Sequence, residues 1–183
     1  MESNKNIFWN KAMLWGLLIA LGTMISTTAY YTSGNMFSST KTWIEGVILI
    51  VGIILCSQAY RATLSENEYF PYKKSLGLGI ATSFFASLIL ALFTFILYKY
   101  IDPELINQII INTEEKLMAA GINDDMIEMQ IEMQHKIIKP SLIAIGTIFN
   151  ISITGLIIAL ITSIFTQKKS ANKFDSAMNE IDN

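Results

Sequence analysis

The chain has one cysteine, Cys56, so no disulfide can close within it and no cysteine cage for zinc can form. Its one histidine, His135, leaves no histidine cluster for a metal and no histidine-based nucleophile–base pair to nominate. Positive charge is scarce as well. Lys and Arg total 13 against 15 Asp and Glu, and a net charge of −2 offers no basic stripe for phosphates, which argues against nucleic acid as a partner. The deepest scarcity is of charge in four long stretches, residues 12–31, 43–60, 76–98 and 141–166. None holds a Lys, Arg, Asp or His, and their only acid is Glu45, near the start of the second.

Apolar side chains fill those stretches. Hydrophobic residues make up 52% of the 183-residue chain and charged ones 15%, with a mean hydropathy of +0.44. Each stretch is close to the ~20 residues that a helix needs to cross ~30 Å of hydrocarbon. The sequence therefore predicts one all-α membrane domain over residues 1–183: an integral four-helix bundle carrying an extramembrane amphipathic helical hairpin over 101–139. A signal peptide is the alternative for the first stretch, since Lys5 and Lys11 precede it and Thr27-Thr28-Ala29 is a tolerable cleavage site. Its length and the Tyr30-Tyr31 pair, which suits an interfacial anchor, favour retention.

Flanking charge sets the expected sidedness. Lys5, Lys11, Arg61, Lys73, Lys74, Lys168, Lys169 and Lys173 flank one set of ends, while the first loop has only Lys41, and Lys99, Lys116, Lys136 and Lys139 in the third loop are diluted by eight acids. The positive-inside rule then puts both termini in the cytoplasm and the acidic loop outside. Trp9, Trp15, Tyr30, Tyr31, Trp43, Tyr60, Tyr98 and Tyr100 stand near the span ends, where aromatic rings prefer the headgroup level. The polar tail after Thr166 is expected to fray.

The loop reads as two helices. Asp102-Pro103 opens the first, Gly121 ends it, Asn123 or Asp124 starts the second, and Pro140 should break that helix from the last span. At 100° per residue, Met126, Ile127, Met129, Ile131, Met133, Ile137 and Ile138 share one broad face, with Met126, Met129, Met133 and Ile137 as the candidate partner surface. Asp125, Glu128, Glu132, His135, Lys136 and Lys139 occupy the other. That polar face is mainly acidic, whereas helices lying on lipid usually carry a basic one, so packing on the paired helix, the span mouths or a partner is expected instead.

Small residues recur at fourfold spacing. Gly79, Ser83, Ser87 and Ala91 line the third span, Thr147, Ile151, Gly155, Ala159 and Ser163 the last, and Ala12, Gly16 and Ala20 the first. Such seams let helices approach closely where hydrophobic exclusion is absent. The third-span seam is expected to serve helix packing or a subunit interface, so a homo- or hetero-oligomer through that span or the outer loop is open.

Glu45 is the candidate functional acid, because carboxylates within spans mark ion or proton routes. Its nearness to Trp43 also fits an interfacial acid at a helix N-terminus. Asn150 and Gln58 can hydrogen-bond between helices. Met126, Met129 and Met133 suit soft copper(I), but His135 projects to the opposite face, so no metal is expected. Glu114-Glu115 and Asp124-Asp125 diverge on a helix and read as solvated or capping charges. No catalytic residue and no cofactor is nominated.

Phe70-Pro71-Tyr72-Lys73-Lys74-Ser75, then Leu76-Gly77-Leu78-Gly79 and the run to Ile101-Asp102-Pro103-Glu104, resemble the four-span membrane proteins grouped as domain of unknown function 4199. The resemblance covers nearly the whole chain. It implies an inner-membrane location and brings no established activity. The expectation is a non-enzymatic, multi-pass inner-membrane protein acting as a scaffold or accessory subunit of a membrane complex. The alternative is a small transporter or channel using Glu45, Gln58 and Asn150. A third reading, a membrane enzyme for lipid-linked substrates, would draw on the basic loop over residues 61–75.

Overall fold

The computed structural model describes residues 2–64 and 68–168, with side chains from residue 6 onward. Six α-helices follow one another: α1 Glu2–Thr32, α2 Ser39–Arg61, α3 Tyr72–Ile96, α4 Leu105–Ala119, α5 Asp124–Ile137 and α6 Pro140–Thr166. A single π-helical turn, Leu97–Ile101, prolongs α3. Of the tail expected to fray, Gln167 and Lys168 are described, with Lys168 held by backbone hydrogen bonds to Phe70, while the rest, including Lys169 and Lys173, lies outside the described residues, as does the side chain of Lys5.

Asn6–Thr32, Ser39–Arg61, Tyr72–Ile101 and Pro140–Thr166 are long and apolar enough to cross a membrane. They exceed the apolar cores read from sequence because polar flanks at each end remain helical. Only 22–39% of each apolar window is buried in the molecule. Most of the apolar surface therefore faces outward, which water would penalise and hydrocarbon would not.

Local chemistry sets the ends. Thr32 and Ala119 are followed by glycines in the left-handed region, Gly34 at φ 71° and Gly121 at φ 70°. In both places paired amides bond back across the turn (Asn35 N to Tyr30 O, Gly34 N to Tyr31 O; Ile122 N to Leu117 O, Gly121 N to Met118 O), the Schellman arrangement that glycine permits. Ser38 caps α2 by accepting from the Thr40 amide, and Asn123 caps α5 by accepting from the Asp125 amide. Pro140 occupies the first turn of α6 after an extended Ile138-Lys139 link, which is the break its sequence position predicts. The Asp102-Pro103 expectation needs correction by two residues. Asp102 accepts from the Glu104 amide at 3.1 Å in a turn, and α4 begins only at Leu105.

α3 is the central helix, packed against α1, α2 and α6, with its longest interface on α6. Close approach explains that interface. A Cβ built on Gly79 would lie 2.7 Å from the Ala159 Cβ, and one on Gly155 would overlap the Ser83 side chain. Hydroxyl pairs flank this zone, Ser75 with Thr166 at 2.7 Å and Ser87 with Ser152 at 3.3 Å. The other side of α3 takes α1, where a Cβ on Gly16 would stand 2.9 Å from the Thr82 carbonyl oxygen. The small-residue seams thus meet one another inside this chain.

The two ends of the bundle differ. At the end that carries the 61–72 connection, Ala12, Cys56, Tyr60, Phe70 and Leu78 form a buried cluster flanked by Phe8, Trp15 and Phe85. Phe70 also exchanges backbone hydrogen bonds with Lys168 (2.9 and 2.8 Å), stapling the connection to the end of α6. At the opposite end, the first turns of α4 rest on the spans: Leu105 packs with Leu97 and Tyr98, against Tyr31, Met36, Ile106, Ile109 and Ile143. This second end is called the hairpin end below.

Candidate functional site

The hairpin end is hollow. A cavity of about 380 Å³ lies between α1, α2, α3 and α6. Its charged wall comes from α2, where Lys41 and Glu45 stand one helical turn apart and form an ion pair of 2.7 Å. The Thr27 hydroxyl of α1 donates to the same Glu45 oxygen at 2.9 Å. Thr23, Thr94, Thr147 and Asn150 add polar groups, and Leu90, Phe93, Ile143 and Ile151 add apolar wall.

Depth follows from helix register. Glu45 is six residues beyond Ser39, about 9 Å along α2 at 1.5 Å per residue. Asn150 is ten residues beyond Pro140, about 15 Å along the 27-residue α6. The hollow therefore reaches toward the middle of the bundle, where Ile19, Leu49, Ile53 and Ala86 close it together with Ile48, Ile151 and Ile158. The π turn borders the same space: Leu97 and Tyr98 belong to it and line the cavity. One extra residue in that turn shifts the face that the following residues present, a distortion often found beside functional sites. Past it, the Tyr31 hydroxyl donates to Asp102 at 3.0 Å and ties α1 to the exit of α3.

For Glu45 the sequence allows a functional acid on an ion route or an interfacial acid at a helix N-terminus, and neither reading fixes the direction of its side chain. It faces the bundle, with its side chain 24% exposed and both partners in place. Asn150 joins it on the cavity wall. Gln58 does not, since it lies thirteen residues further along α2, exposed and away from the cavity. Sequence reading missed Lys41, Thr27, Thr94 and Tyr98 as companions of Glu45. The Lys41–Glu45 spacing was a usable signal. The cross-helix partner of Glu45, Thr27 on α1, and the cavity neighbours Thr94 and Tyr98 had none.

The third-span seam is committed elsewhere. Gly79, Ser83, Ser87 and Ala91 are all buried, with Gly79 against Ala159, Ser83 against Gly155 and Ser87 against Ser152. Of the two uses expected for this seam, helix packing or a subunit interface, the structure has the packing: α6 of the same chain fills it. On α5 the single broad apolar face also needs correction. Ile127 is buried and lines the groove toward α4 with Ile131 and Met118, whereas Met126, Met129, Met133 and Ile137 are 52–65% exposed. The α4–α5 crossing takes only the isoleucine edge of the face.

His135 lines the α4–α5 groove with Glu114, Glu128 and Glu132, apart from the exposed methionines. Among the described residues no three His, Cys, Asp or Glu side chains group so as to hold a metal. Cys56 is fully buried, its sulfur 3.2 Å from the Thr82 hydroxyl, and packs as a small core residue.

Four apolar helices, sealed by aromatic side chains at one end and hollow at the other, define a small α-helical membrane protein. The chain belongs to the family described as protein of unknown function DUF4199, whose model matches residues 14–168. No curated protein and no solved structure matches it.

Proposed function

We propose that this protein is a non-enzymatic, multi-pass protein of the inner membrane, with both termini cytoplasmic, that serves as an accessory or scaffold subunit of a membrane complex. The observation that carries the reading is the exposure of Met126, Met129, Met133 and Ile137, each more than half open, on a helix outside the four apolar spans. Unbranched thioethers repack readily against a partner, which suits an adaptable contact surface. The opposite side of α5 is rich in Asp and Glu, and Lys136 there pairs with Glu132 rather than facing anionic lipid, so a protein partner fits better than a headgroup layer.

A photo-crosslinking amino acid at position 129, activated in intact membranes, tests this. The reading expects a discrete higher-mass adduct that the same probe at Glu115 does not give, and loss of the co-purifying protein in the Met129→Glu variant. A monomer only, with Met129→Glu silent in the cell, overturns it.

The channel alternative draws on the cavity at Glu45 and meets an obstacle below it. Ile19 against Gly52 and Ser83 against Gly155 fill the bundle beneath Asn150, and Tyr60 and Phe70 fill the far end. The arrangement supports a blind pocket better than a conduction path.

A further inference from the structure

We propose that the cavity at the hairpin end binds the headgroup of a zwitterionic phospholipid, one carrying ethanolamine, admitted sideways from the bilayer between α2 and α6. This goes beyond the accessory-subunit reading and uses a different part of the molecule.

The first support is charge. Lys41 and Glu45 present one cation and one anion side by side on the wall, so the lining is neutral but dipolar. An ethanolamine headgroup carries the complementary pair. Its phosphate can take the Lys41 ammonium while its own ammonium donates to Glu45, so each charge exchanges one partner for another and none is left bare. An anionic glycerol headgroup would set its phosphate against Glu45 with no cation to satisfy that carboxylate. A choline headgroup has no N–H to donate.

The second is an unused hydrogen-bonding group. Asn150 lines the cavity deeper than the ion pair and makes no hydrogen bond among the described residues. An amide at membrane depth without a partner is costly, and its N–H groups need an acceptor. In a phospholipid the ester carbonyls lie below the phosphate, the order in which Asn150 lies below Lys41.

The third is the opening. A Cβ added to Gly146, which lines the cavity from α6, would meet nothing within 4 Å. Gly146 and Asn150 line the cavity and are exposed at once. The cavity is therefore open beside α6 at the hairpin end, and below it Leu49 and Ile53 of α2 share one packed cluster with Ile151 and Ile158 of α6. A volume of about 380 Å³ takes a headgroup and glycerol, and leaves the acyl chains along the outer faces of α2 and α6.

Native mass spectrometry of the full chain tests the proposal, with phosphatidylethanolamine, phosphatidylglycerol and phosphatidylcholine of identical acyl chains as probes. One ethanolamine lipid should be retained about tenfold more strongly than either competitor, the scale of one charge-assisted hydrogen bond. Glu45→Gln should abolish the preference and Asn150→Leu should weaken retention, while Met129→Glu should bind as the unmodified chain does. Should Glu45→Gln fail to fold, Asn150→Leu decides alone, because that side chain holds no partner in the protein. Free phosphoethanolamine should not displace the lipid, and displacement at millimolar concentration would assign the site to a water-borne zwitterion and overturn the lipid claim. Equal retention of the three lipids, or unchanged retention in Asn150→Leu, overturns the site itself.

Discussion

Replacing Gly155 tests the packing on which the fold rests. A methyl group there would overlap the Ser83 Cβ and Oγ. The hydroxyl can rotate away but the Cβ cannot, so α6 must shift from α3. Overpacking of this kind costs about 1–3 kcal/mol for the alanine variant. Leucine would force a wider separation and would also strain the flanking Ser75–Thr166 and Ser87–Ser152 pairs, each worth about 0.6 kcal/mol between membrane helices. The total reaches roughly 3–4 kcal/mol, or a few-hundredfold rise in the unfolded population. The protein carries its own probe, since Cys56 is its one thiol and is fully buried. Maleimide labelling of Cys56 through a sodium dodecyl sulfate titration should shift to lower detergent fraction in Gly155→Ala and further in Gly155→Leu. Adding Ser83→Gly to Gly155→Ala removes the obstructing Cβ and should restore most of the midpoint. A Gly155→Leu protein that titrates like the parent, or a double variant with no recovery, would refute close approach as the basis of the α3–α6 interface.

Other perturbations separate the parts of the molecule. Gly121→Ala places a side chain at φ 70° and should cost about 1 kcal/mol, read as faster amide exchange in α4 and α5 with the spans unchanged. Phe70→Ala empties a fully buried site beside Tyr60 and should destabilise by about 3–5 kcal/mol, again visible at Cys56. Cysteines at Glu115 and Thr63 test the proposed sidedness: an impermeant maleimide added to intact cells should label position 115 and spare 63. The reverse pattern would invert the molecule.

The four spans were legible because absence of charge over ~20 residues is a strong signal that needs no tertiary knowledge. The stops at Gly121 and Pro140 were legible for the same reason, a backbone constraint carried by one residue. Fourfold spacing showed that Gly79, Ser83, Ser87 and Ala91 form a seam but not what fills it, since the matching groove on α6 is set by the helix arrangement. Glu45 could be singled out as an acid, yet its inward direction depends on Thr27, eighteen positions earlier on another helix. The methionine and isoleucine positions of α5 share a helical face by periodicity, and only the crossing with α4 divides them. What the sequence left open was in each case a relation between helices.

The staple between Phe70 and Lys168 has a mechanical consequence. It fixes α6 beside the start of α3 at one extremity, while at the other α6 is held chiefly through Ile143 against the Leu97, Tyr98 and Leu105 cluster. A 27-residue helix is about 40 Å long, so a rotation of about 5° at the fixed base would carry its far tip through some 3.5 Å. Small changes at the stapled base are thus magnified at the hairpin end, where the Ile143 contact must yield before the cavity can widen.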